Sequence, residues 1–177
     1  MKSSPLRRFA VAFVALAFSA ILFHTHVANA LVTRGDDLFR AGDIDGALAI
    51  YERGLHLDPS SAVAADRFAF LLLLRRRPGD AVHARAIASA ALHHHASDPA
   101  LLTDRGFAAA RLARWREAER DFTAAALAAH DPRYAHLAAR MALRNGERER
   151  GRADLRTALA LDRTYQPARV LLARFAR

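Results

Sequence analysis

Leu31-Val-Thr-Arg-Gly35-Asp-Asp-Leu38-Phe-Arg-Ala-Gly42-Asp43-Ile-Asp-Gly-Ala47-Leu-Ala-Ile-Tyr51-Glu-Arg-Gly54-Leu-His-Leu-Asp58-Pro59 is the stretch that decides how this chain folds. It reads as two short amphipathic helices, broken at Gly42-Asp43 and stopped at Asp58-Pro59. Four positions carry the packing logic. Gly35 is small enough for the first helix to approach its partner. Ala47 does the same on the second helix, where a larger side chain would hold the backbones apart. Tyr51 fills the space between successive helix pairs. Pro59 ends the second helix because it cannot continue the hydrogen-bond ladder.

The pattern recurs. A second unit starts near Ala62, with a first helix expected over Ala64 to Arg77, a turn at Pro78-Gly79-Asp80, and small residues Ala84, Ala88 and Ala91 on the second helix. It is about six residues too long, with the excess expected at Arg75-Arg76-Arg77 and His93-His94-His95. The third unit repeats the spacing of the first through Gly106, Ala118 and Phe122, with Trp115 expected in the turn. Asp98-Pro99 and Asp131-Pro132 are read as helix ends. The fourth unit is degenerate: Asn145-Gly146 marks its turn and Gly151 replaces the Ala, at a cost of about 1 kcal/mol in helix stability. Gln166-Pro167 opens a last helix, with Val170, Leu171 and Phe175 expected against the stack. No run alternates long enough to make a strand.

These units resemble the tetratricopeptide repeat, a helix-turn-helix motif of about 34 residues. The expected architecture is all-α: a right-handed α-solenoid of about four repeats with a C-terminal capping helix. The units fall at about 28–61, 62–98, 99–132 and 133–165, and the cap at 166–177. Leu31 departs from the family's preferred Trp, and the match weakens in the fourth unit.

The first 30 residues stand apart. Lys2, Arg7 and Arg8 form a basic head, Phe9 to Phe23 is an apolar run, and Ala28-Asn29-Ala30 is a small-x-small site. The expectation is a secretory signal cleaved near Ala30, giving a periplasmic or secreted protein. The alternative is an uncleaved inner-membrane anchor, although the run holds 15 residues where a span needs about 20. The chain has no cysteine, which excludes disulfides and lipid attachment through one, so packing must hold it. Its 27 basic against 18 acidic residues give a net charge of +9, and all but one of the basic residues are Arg. That suits acidic partners. Nucleic acid is not expected of an exported chain.

Chemistry is thin. His93, His94 and His95 are adjacent, so on a helix their side chains diverge, whereas metal ligands converge from separate positions. They are read as a helix end rather than a metal site. No nucleophile elbow or phosphate cradle is present, and Asp43-Ile-Asp45 is read as turn and N-cap chemistry. No cofactor is expected. An enzymatic reading would rest on Asp36 or His136 and is not favoured.

The resemblance also implies a concave groove lined by the first helix of each unit. Carried onto this sequence, it places Val32, Asp36, Phe39 and Arg40 there from unit one. Unit two contributes Asp66, Phe70, Leu73 and Leu74, and unit three Thr103, Phe107, Ala110 and Arg111. Unit four adds Arg133, His136, Arg140, Leu143 and Arg144. The Phe residues would be apolar anchors, and each Arg could hold a carboxylate bidentately. This is similar to the family's carboxylate clamp, except that no Asn stands at the ninth position. The expectation is a non-enzymatic interaction scaffold of the bacterial cell envelope, holding an acidic or amphipathic segment of a protein partner. The alternative is a structural or assembly component of a secretion, pilus or polysaccharide-export system, docking on anionic polymer or membrane through its basic surface.

Overall fold

The computed structural model describes Val14 and residues 26–175. The basic head and most of the apolar run lie outside the described residues. Residues 26–40 form helix α1, which takes in Ala28-Asn29-Ala30. Eight helices follow: α2 (Ile44–Leu57), α3 (Ala62–Arg75), α4 (Asp80–Leu92), α5 (Pro99–Arg111), α6 (Trp115–Ala129), α7 (Pro132–Arg144), α8 (Arg148–Leu161) and α9 (Gln166–Ala173). There is no strand among the described residues, and no described helix is long and apolar enough to cross a membrane. The chain forms two compact units, residues 1–64 and 65–177, with the boundary just inside α3.

In the first unit, α1 and α2 close on each other through Gly35. A Cβ there would lie 2.8 Å from Tyr51 Cζ, and the Tyr51 ring is fully buried. Gly42 (φ +84°) makes the turn, and Asp43 caps α2 by accepting from the Gly46 amide at 2.8 Å. In the second unit the same device joins α5 to α6: a Cβ on Gly106 would sit 2.9 Å from Phe122 Cε1. Phe122 is fully buried with Ala109, Ala118, Ala138 and Met141 around it. Removing that ring would cost about 3–5 kcal/mol.

Several boundaries differ from the sequence reading. Asp98-Pro99 and Asp131-Pro132 do not end helices; they start them. Asp98 accepts from Ala100 N (2.9 Å) and Leu101 N (3.1 Å), Asp131 accepts from Arg133 N (2.9 Å), and each Pro occupies the first helical turn. The preceding helices have already stopped, α4 at Leu92 and α6 at Ala129. Helix α3 ends at Arg75, two residues early, because Asp80 draws the chain back: Arg75 grips its carboxylate at 3.1 and 2.7 Å and the Arg77 amide donates at 2.8 Å. Trp115 is the first residue of α6 rather than a turn residue. Gly151 is required, since a Cβ there would meet Leu143 Cγ at 2.8 Å and the Ala139 carbonyl at 3.2 Å. Ala168, Leu171 and Leu172 on α9 and Phe175 just beyond it pack on the stack, while Val170 is 54 % exposed.

Successive second helices are tied by ion pairs. Arg85 on α4 meets Glu117 on α6 at 2.7 Å. Arg116 on α6 meets Glu147 at the start of α8 at 2.5 Å, and Arg150 on α8 meets Glu119 on α6 at 2.9 Å. Within the third repeat, Arg105 clasps buried Asp121 with two bonds, at 3.0 and 2.7 Å.

Candidate functional site

Helices α3 and α5, with Tyr134 of α7, enclose an open concavity of about 420 Å³. Its walls carry Phe70, Leu73 and Leu74 from α3 and Phe107 from α5. Phe70, Leu74 and Phe107 remain 44, 44 and 41 % exposed, a costly placement for large apolar side chains. Phe107 is held from below, its ring meeting that of buried Phe122 edge-on at 5.0 Å between centroids.

The two ends of this concavity have opposite charge. Near the N-terminal ends of α3 and α5 lie Asp66 and Asp104. Asp104 is 5 % exposed, and its Oδ2 has no hydrogen-bond partner. Burial is the main cause holding its carboxyl up at about 8, with Asp66 reinforcing it by like charge and a shared hydrogen bond. Asp66 accepts from Arg67 at 3.2 Å. At the far end, Arg76 and Arg111 line the same space. Arg111 is pushed down from the usual arginine range by burial and then by the like charge of Arg76. Asp104 and Arg111 are seven residues apart on one helix, so the ends are separated by roughly 10 Å.

The residues expected in one groove occupy three places. Phe70, Phe107 and Arg111 line the concavity just described, with Asp66, Leu73, Leu74 and Thr103. His136, Arg140, Leu143 and Arg144 line another, of about 550 Å³, between α7 and α9. There the His136 ring meets Tyr165 edge-on at 6.0 Å. Burial, then the neighbouring Arg140, pushes its imidazole down, and Nδ1 has no partner. Arg144 stacks on Trp115 at 5.4 Å from the ring centroid. Asp36, Phe39 and Arg40 belong to the first unit. Asp36 accepts the Tyr51 hydroxyl at 2.6 Å, and Arg40 pairs with Asp37 at 2.7 Å.

Sequence reasoning did not find Asp104, Arg76 or Tyr134. Asp104 had a usable signal. It precedes Phe107 by three residues on the same helix, which puts it beside the exposed ring. His93 caps α4, and His94 and His95 follow in the turn. No group of three metal-ligating side chains forms among the described residues.

No protein-family model matches this sequence, and no curated protein matches it. Solved structures do match. MamA residues 41 to the end from Desulfovibrio magneticus RS-1 superposes with a TM-score of 0.66 at 17 % identity, covering 78 % of this chain and 77 % of that one. Pseudomonas aeruginosa PilF gives 0.66 at 19 % identity over 85 % of this chain and 68 % of its own. The second TPR of Spaghetti (RPAP3), bound to the HSP90 peptide SRMEEVD, gives 0.53 at 25 % identity, over 56 % of this chain and 90 % of its own. With paired helices, small-residue contacts and ring-filled gaps recurring at repeat spacing, the chain has the tetratricopeptide-repeat fold.

Proposed function

We propose that this protein is a non-enzymatic scaffold that holds a segment of another protein in the concavity between α3 and α5. The observation that carries the reading is the exposure of Phe70, Leu74 and Phe107 in a preformed recess with two Arg at one end. An amphipathic segment would bury its apolar side chains on the rings and set a carboxylate against Arg76 and Arg111. A rigid recess keeps the ordering cost of binding low. The SRMEEVD peptide bound by one fold neighbour supports an acidic segment as occupant. The cell envelope is the proposed location, on the strength of the signal-like sequence at residues 1–30.

Fluorescence polarisation with labelled SRMEEVD and a scrambled acidic peptide tests this. Binding is expected to fall tenfold or more in Phe107→Ala and in Arg111→Glu, with circular dichroism unchanged. Equal binding by wild type and both variants would overturn the reading.

The Arg-lined recess between α7 and α9, with Arg140, Arg144 and Arg174, favours a second reading: docking on an anionic envelope polymer. Such binding would weaken steeply between 0.05 and 0.5 M salt, roughly from a 13 Å to a 4 Å screening length. A salt-insensitive complex speaks for the first reading.

A further inference from the structure

Helix α1 runs straight through the stretch that reads, in sequence, as a cleavage site. It is unbroken from residue 26 to residue 40. Ala28-Asn29-Ala30 is therefore part of its opening turns and not an exposed strip that a peptidase can grip. Ala28 is 2 % exposed and Val32 8 % exposed, and Gly35 is buried on the same face. Steps of four and then three residues make one inward stripe that crosses the Ala30–Leu31 bond. Against it lies Gly54 of α2, where a Cβ would stand 3.9 Å from the Ala28 carbonyl oxygen and 3.9 Å from Leu31 Cβ. The two sides of the bond share one seat. The Thr33 hydroxyl also reaches back across it, donating to the Asn29 carbonyl at 3.2 Å.

The repeat register gives the same starting point. Helix α5 begins at Pro99, seven residues before Gly106, and α7 begins at Pro132, seven before fully buried Ala139. Gly106 and Ala139 are the close-approach positions of their pairs, against Phe122 and Gly151. Seven residues before Gly35 stands Ala28. A first helix that began at Leu31 would be about a turn short. Its amides at residues 31–34 would lose the carbonyls of residues 27–30. The new α-ammonium on Leu31 would sit at the positive end of the helix dipole.

We propose that the Ala30–Leu31 bond is left intact, and that the apolar run Phe9 to Phe23 stays joined to the repeats and tethers them to a lipid bilayer. Ahead of the packed turn, Phe9 to Thr25 gives 17 residues without a formal charge, the short end of the roughly 17–25 that span a bilayer. Lys2, Arg7 and Arg8 precede the run, which sets the basic head on the cytoplasmic side and the repeats on the other. Ala28 is then small for the reason that Ala47 is: two helices close on each other there. The tether stands whatever the α3–α5 concavity holds.

The test produces the full chain in a Gram-negative bacterium beside Ala28→Asp, which a peptidase requiring a small side chain at that position cannot cut. Membranes are washed with sodium carbonate at high pH and intact masses are read. Both proteins are expected at full length, 19.5 kDa, in the washed pellet. A wild type that begins at Leu31 beside a full-length Ala28→Asp overturns the proposal. So does a full-length wild type released by the wash, or one cut at any bond before residue 26, since neither is tethered. Hydrogen exchange in detergent then separates a packed turn from a peptidase that merely fails. Amides of residues 31–34 should exchange roughly tenfold more slowly in the wild type than in Ala28→Asp, which sets a charge against α2. Equal exchange overturns the part given to the opening turn. Should Ala28→Asp be degraded in the cell, the mass of the wild type alone decides.

Discussion

Two pairs of neighbouring acids lie in the second unit, and they are not alike: Asp66 is half-buried, whereas Asp104, Glu119 and Asp154 are buried. Asp66 and Asp104 face each other between first helices, α3 and α5. Glu119 and Asp154 do so between second helices, α6 and α8, at 3 and 9 % exposure. The second pair carries a cation: Arg150 bonds Glu119 at 2.9 Å, and Thr123 reaches Asp154 at 3.5 Å. In the first pair Arg67 bonds Asp66 at 3.2 Å. Burial is the leading cause in both, but it holds Asp104 up at about 8 and Asp154 only at about 6. A resident cation turns one like-charge contact into a strut between helices. The other contact borders the recess, its Asp104 more strongly perturbed.

The largest expected effect comes from removing the Asp104 carboxyl. A carboxyl whose folded value is raised stabilises the fold fully below pH 4 and loses that contribution as pH rises through the folded value. For Asp104 the loss runs from about pH 4 to about pH 8. Asp104→Asn should therefore be more stable than wild type at pH 9, on the order of a few kcal/mol, and nearly equal at pH 4. Urea unfolding across that range would show it; parallel curves for the two proteins would abolish the contrast between the pairs.

Asp154→Asn should act with the same sign in a narrower window, about pH 4 to 6, gaining about 1–3 kcal/mol at pH 7. A gain as large as that of Asp104→Asn would mean that Arg150 compensates nothing. Arg150→Met probes the strut directly. Asp154 and Glu119 should both titrate higher, since Arg150 lowers both, and side-chain carboxyl shifts by NMR would follow it. The smallest effect is expected for Arg67→Met. It should raise Asp104 further, but by less than Arg150→Met raises Glu119, because Arg67 is the weakest of the influences on Asp104. The opposite order would reverse the roles assigned to the two cations.

Much of the fold was readable because it rests on local contacts of small residues. Gly35 with Tyr51 and Gly106 with Phe122 have the same spacing in sequence and the same ring-on-glycine contact in space. The Gly turns at 42, 79 and 146 adopt the left-handed conformation their positions require. Helix ends were less legible. Arg75 stops α3 through a carboxylate five residues on, and no propensity encodes that. The recess was half legible: Phe70, Phe107 and Arg111 follow from repeat position, whereas Asp104, three residues before Phe107, is placed beside the ring by spacing but shows its burial only in the structure. Val170 is left exposed and Leu172 packs on the stack, because the orientation of α9 is set by packing on the cluster of Leu155 and Ala158, not by its own sequence pattern.

The ion pairs between second helices have a mechanical side. Arg85–Glu117, Arg116–Glu147 and Glu119–Arg150 span 32, 31 and 31 residues, close to one repeat each. They act as springs between neighbouring coils of α4, α6 and α8, in parallel with the apolar contacts beneath. Several of these side chains are half in water, so their stiffness is set partly by the medium. At 1 M salt, where charges are screened within about 3 Å, the coils should yield under less force while the glycine-ring contacts keep their register. Pulling the chain end to end at low and high salt would measure that difference as a change in compliance before rupture.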